Sequence, residues 1–131
     1  MLSAAGNISI ETELQSHDNI KLEVDSDCTN AGTLSITNYG KIDTSTSDET
    51  IVIWGGSFEI DNTSWVYAGD GEVQFSERCS FDQSIGIGGV SDPMEIMGIS
   101  QSELNRISCW DITFDSFIGN MVYFIYNFFL L

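Results

Sequence analysis

Basic residues are nearly absent. Four Lys and Arg (Lys21, Lys41, Arg78 and Arg106) stand against 20 Asp and Glu in a chain of 131 residues, for a formal charge of -16. Phosphate binding by a basic stripe is the footprint of nucleic-acid recognition, and this composition excludes it. The same negative field repels anionic lipid headgroups. His17 is the one imidazole, set among Gln15, Ser16 and Asp18, and reads as an exposed turn residue with no partners for a zinc site or a catalytic triad. No phosphate-loop or dinucleotide fingerprint is present: Gly86, Gly88 and Gly89 follow a strand pattern, but no helix pattern opens after them and no Lys accompanies them. Hydrophobic residues nevertheless make up 42%. That level belongs to a folded domain, not to an acidic disordered tail, and the length fits one domain.

The three cysteines, Cys28, Cys79 and Cys109, are widely separated, so no CxxC or close metal pair exists. Isolated buried thiols are the plain expectation, with one disulfide and a leftover thiol as the alternative. The N-terminus, MLSAAGNISIETEL, lacks the basic and apolar regions of a secretory signal. Asn7-Ile8-Ser9 and Asn62-Thr63-Ser64 fit the glycan-acceptor pattern, at a frequency that chance provides in an Asn- and Ser-rich chain. From Phe117 the chain runs FIGNMVYFIYNFFLL without a charge. This run falls short of the roughly 20 residues of a membrane-spanning helix, and no Lys or Arg flanks it. A buried strand or short helix, or an end not selected as part of the domain, are the readings for residues 117–131. Membrane association is the least expected.

What is present is alternation. Ile20, Leu22 and Val24 share one face of an extended segment, and Leu34 and Ile36 continue the pattern. Ile51 and Ile53, Phe58 and Ile60, Val73 and Phe75, and Ile85 and Ile87 do the same, between turns rich in Gly, Asp, Asn and Ser. These residues are expected to point inward, and Lys21, Glu23, Glu59, Glu72 and Gln74 outward. Only SQSELNRI, from Ser100, has helix-start chemistry, with Ser100 or Ser102 as cap and Glu103 in the first turn; a turn fits equally.

A strand, a Gly and a second strand recur in TLSITNYGKI, TIVIWGGSFEI, WVYAGDGEVQF and SIGIGGVSDPMEI. Aligning Leu34, Ile51, Val66 and Ile85 implies stacked coils, none of which buries its apolar face alone. The expected fold is all-β, a right-handed parallel β-helix (β-solenoid) segment of five or six coils. Residues 1–18 form an N-terminal edge coil, 19–116 the coils, and 117–131 the apolar tail. A β-sandwich or jelly roll is the alternative. The ends of such a stack need a cap or adjoining coils, so a piece of a longer solenoid is expected.

The stretches GNISIETELQSHDNIKLEVDSD and NAGTLSITNYGKIDTSTSDETIVIWGGSFEI resemble passenger regions of filamentous-haemagglutinin-like exoproteins. GISQSELNRISCWDITF, with Glu103, Leu104, Arg106, Ile107, Ile112 and Phe114, is similar to a segment that recurs in them. The pattern departs at Asp115-Ser116, where a Gly is usual. The resemblance implies a right-handed parallel β-helix exported to the cell surface or medium, with adhesion as its role and with cell-surface or carbohydrate partners.

For chemistry, paired carboxylates suit glycoside cleavage, and Asp43, Asp61 and Asp70 with Glu59 and Glu72 are the candidates. With so many acids, solvated carboxylates are the simpler expectation. Asp25 and Asp27, and Asp43, Asp48 and Glu49, offer hard oxygen donors for Ca²⁺, but no stretch matches an established calcium loop. Trp54, Trp65, Tyr67 and Trp110 would stack on sugars if exposed, and Trp54 alternates out of phase with Ile51 and Ile53. No catalytic, cofactor or metal residue is assigned, and no enzyme activity is expected. A carbohydrate-active or carbohydrate-binding β-helix is the alternative.

Overall fold

The computed structural model describes residues 1–29, 32–76, 84–87, 95–115 and 121–123, the last of these, with 84–87 and 95–97, as backbone. The described chain is all-β with one short helix. The first three strands are β1 (Leu2–Ser3), β2 (Ile8–Ile10) and β3 (Glu13–Gln15). A second set follows, β4 (Ile20–Glu23), β5 (Thr33–Ile36) and β6 (Lys41–Asp43). The third is β7 (Ile51–Trp54), β8 (Ser57–Ile60) and β9 (Trp65–Tyr67). Then come β10 (Glu72–Ser76), β11 (Ser84–Ile87), β12 (Glu95–Ile99), helix α1 (Gln101–Leu104), β13 (Ile107–Ser108), β14 (Asp111–Asp115) and β15 (Met121–Tyr123).

Through β10, pairing runs by threes. The first sheet has the order β1-β4-β7-β10-β14, the second β2-β5-β8, and the third β13-β9-β6-β3; β12-β11-β15 form a further sheet. Every pairing among the described residues is parallel. An antiparallel sandwich or jelly roll would pair otherwise.

Register turns alternation into columns of like residues. Ile20, Ile51, Val73 and Ile112 fall in one column, and Leu2, Leu22, Ile53, Phe75 and Phe114 in another. Ile8, Leu34 and Phe58 stand beside Ile10, Ile36 and Ile60 in the second sheet. Leu14, Ile42, Val66 and Ile107 make the column of the third. The buried members of all these columns meet in one core. Each fully buried aliphatic or aromatic side chain contributes about 1.5–3 kcal/mol. Phe75 sits centrally, edge-on to Phe58 at 5.1 Å between centroids and stacked on Phe114 at 5.6 Å.

Every residue expected to point inward whose side chain is described is buried; the side chains of Ile85 and Ile87 lie outside the described residues. Two expectations change. Glu23 is 3% exposed and accepts a hydrogen bond from Ser3 Oγ at 2.8 Å, because it closes its strand in a row between Ser3 and Trp54. Leu34, Ile51 and Val66, aligned as one repeat position, stand in three different sheets. The repeat contains three strands where the alignment assumed two. Side-chain hydrogen bonds between neighbouring sets accordingly join residues 20 to 45 apart.

Turns are braced across sets. The amide of Thr33 donates to Asn7 Oδ1, that of Thr50 to Asn19 Oδ1, that of Asn38 to Asp61 Oδ2 and that of Asp70 to Asp48 Oδ1, each at 2.8 or 2.9 Å. Short polar side chains at these corners satisfy amides that leave the sheet ladder. Between β7 and β8 the chain reverses through Gly55 and Gly56 at φ +69° and +64°, where a side chain at Gly55 would also meet the carbonyl of Val24. Helix α1 starts in a capping box, Ser100 Oγ accepting from the Glu103 amide while the Glu103 side chain bonds the Ser100 amide. Leu104 and Ile107 then enter the core.

Cys28 is disulfide-bonded and Cys109 is a free, half-buried thiol. This is the alternative reading of the cysteines and replaces three isolated thiols. Cys79 and Arg78 lie outside the described residues, as does the apolar tail 117–131 apart from β15. Among the described residues, no helix is long and apolar enough to cross a membrane.

Candidate functional site

The three cations among the described residues all lie against aromatic rings. Lys21 Nζ is 3.1 Å from the centroid of the Trp54 ring, Lys41 Nζ is 5.4 Å from that of Tyr67, and the Arg106 guanidinium carbon is 4.1 Å from that of Trp65. Such contacts contribute about 0.5–2 kcal/mol, depending on desolvation.

Two of these contacts share one face. In β9, Val66 turns inward and is fully buried, so Trp65 and Tyr67 project from the outer side of the third sheet. Their rings lie nearly parallel, 12° apart, with centroids at 5.8 Å. Register brings Lys41 beside Trp65 and Asp43 beside Tyr67, with Glu13 and Gln15 on the next strand. On the other flank the amide of Val66 donates to the carbonyl of Arg106, and Ser108 pairs with Tyr67. The strip therefore combines two stacked aromatic rings with a cation on each side.

The cations differ in how they are neutralised. Lys41 bridges Asp43 at 2.9 Å and Glu13 at 3.2 Å. Hydrogen bonds to Asp43 and then Glu13 raise its pKa. For Asp43, burial alone would raise the pKa, but the Ser45 hydroxyl, Lys41 and the Ser45 amide hold it below the ordinary carboxylate value. Arg106 donates from Nε to the carbonyl of Asp61 at 3.1 Å and, among the described residues, enters no ion pair.

The candidate carboxylates stand in different turns and strands. Asp43 is 6% exposed and tied to Lys41 and Ser45. Asp61 braces a turn: the Ser64 hydroxyl, close by though outside hydrogen-bond geometry, the Thr63 hydroxyl and the amides of Asn38 and Thr63 hold its carboxyl far below the ordinary range. Glu59 is exposed in β8, while Asp70 precedes β10 and Glu72 opens it, in another sheet. Asp25, 1% exposed, accepts from the Thr29 amide and hydroxyl, and Asp27 accepts from the same hydroxyl. Asp48 braces Asp70, as described above. Among the described residues no group of three or more His, Cys, Asp or Glu is placed to hold a metal ion. His17 Nδ1 lies 3.2 Å from Thr46 Oγ1 on the surface.

Of the aromatic candidates, Trp54 and Trp65 carry cations on their rings, and Trp110 is 77% exposed at the corner leading into β14. Tyr39, 79% exposed, was not singled out from the sequence. The partnership of Arg106 with Trp65 was also missed, since nothing local links residues that far apart in the chain. Comparison with protein-family models, curated proteins and solved structures finds no match.

Proposed function

We propose that the chain is a segment of a right-handed parallel β-helix, serving a structural and adhesive role in a secreted or cell-surface protein. The observation that carries this is register by threes. Columns such as Leu22-Ile53-Phe75-Phe114 repeat across sets, each of which buries its apolar face on its neighbours. The disulfide at Cys28 fits an oxidising compartment. The likeness of GISQSELNRISCWDITF to exoprotein repeats supports the adhesive part. Carboxylates at the corners brace turns, which is a structural task and not a catalytic one.

Fluorescently labelled chain, added to intact animal cells, is expected to bind saturably and to be displaced by excess unlabelled chain, without releasing reducing sugar from added polysaccharide. Absence of saturable binding, or release of reducing sugar, contradicts the proposal.

A further inference from the structure

We infer that the outer face of the third sheet, at Trp65, Tyr67, Arg106 and Lys41, binds a saccharide bearing a carboxylate, of the hexuronate class. The inference goes beyond the β-helix proposal and stands on this face alone, however far the stack extends.

The starting point is an imbalance of charge. In a chain with 20 acids and 4 bases, a cation with no carboxylate partner is unexpected. Lys41 has two such partners; Lys21 and Arg106, among the described residues, have none, and of these two only Arg106 lies on this face. Arg106 is also held in place. Its Nε is committed to the Asp61 carbonyl, and its guanidinium carbon lies 4.1 Å from the centroid of the Trp65 ring. No described residue accepts from its terminal Nη groups. A guanidinium fixed at Nε and held against a ring loses little freedom when the remaining donors bind a planar carboxylate.

Trp65 and Tyr67 define the rest of the ligand. Two nearly parallel rings on a half-exposed sheet face leave apolar surface against which a sugar ring can pack. Lys41, 32% exposed at its side chain, stands on the opposite flank and can donate to a hydroxyl. A hexuronate joins one carboxylate to one such ring. Asp43 and Glu13, on the face itself, neutralise Lys41 and leave Arg106 to hold the anion; carboxylates farther off oppose it, but at about 0.15 M salt their field is screened beyond about 8 Å. The face is a strip and not a deep cavity, so weak binding is expected, with Kd on the order of 1 mM.

The test is titration of the full chain with trigalacturonate and, separately, with neutral galactotriose, followed by NMR shifts of the indole and guanidinium N–H signals. Trigalacturonate is expected to shift the Trp65 and Arg106 signals and to bind at least about tenfold more tightly than galactotriose. Arg106→Lys keeps the charge but loses the planar fork, and is expected to lose about tenfold in affinity while the Trp54 and Trp110 signals stay in place. Trp110→Phe, with its side chain at an exposed corner, is expected to bind as the parent does. Equal affinity for the two sugars, full affinity in Arg106→Lys, or no shift up to about 20 mM overturns the inference. None of these results bears on the register of the strands.

Discussion

Tyr39 has a left-handed backbone, φ 65°, directly after Asn38 at φ 53°, and the turn closes with the Gly40 amide donating to Thr37 O. Asn38 accepts that conformation at little cost, whereas a residue with a bulky side chain does not. Because the Tyr39 side chain is mostly exposed, Tyr39→Asn is expected to raise stability by about 0.5–1 kcal/mol in urea unfolding. Titration at single residues sets the pH dependence. Asp61 and Asp43 have lowered folded-state pKa values, so their stabilisation is present above about pH 4 and is lost as pH falls through the folded values. Glu103, raised by burial, acts in the opposite sense: its contribution is full below about pH 4 and is lost as pH rises through its elevated value. Tm measured between about pH 2 and 7 is expected to fall on the acid side, and to fall less steeply in Asp61→Asn, which keeps an acceptor but does not titrate. At this scale alternation was legible, since a period of two assigns inward residues directly. Glu23 was not, because its burial comes from neighbours in other strands. The cation–aromatic pairs were equally hidden, each joining residues of separate sets.

Short strands and their turns were legible as elements, through β-branched and aromatic runs broken by Gly, Asp and Asn. The helix start was legible too: Ser100 and Glu103 are spaced as a capping box, and the structure forms one. Ser100→Ala is expected to cost about 1 kcal/mol, visible as a lower urea midpoint with an unchanged slope. The grouping of strands was not legible. Gly55-Gly56 reads as the middle of a two-strand repeat and does join two strands of one set, but that set holds a third strand, and the actual repeat is set by register between sheets. At the centre, β10 pairs with both β7 and β14 and carries Phe75 against Phe58 and Phe114. Phe75→Ala is expected to cost about 3–5 kcal/mol, because flanking rungs limit collapse into the cavity. A loss below about 1 kcal/mol would mean that these rings do not form one core.

For the whole molecule, the excess of acid follows from the architecture more than from any substrate. Carboxylates at corners accept amides from the adjacent set, as Asp61 and Asp48 do, and others coat the outer faces. Like charges along exposed strands also discourage edge-to-edge association. The described bases sit on aromatic rings, where they cover apolar surface and, at Arg106, leave donors available. Stacking by threes is what makes these roles compatible, and it rests on parallel register. NMR cross-peaks across β4, β7 and β10 test that register most directly. Contacts linking Leu22 to Ile53 and Ile53 to Phe75, without short Hα–Hα contacts between neighbouring strands, are the predicted result; strong Hα–Hα cross-peaks between β4 and β7, the mark of antiparallel pairing, would contradict it.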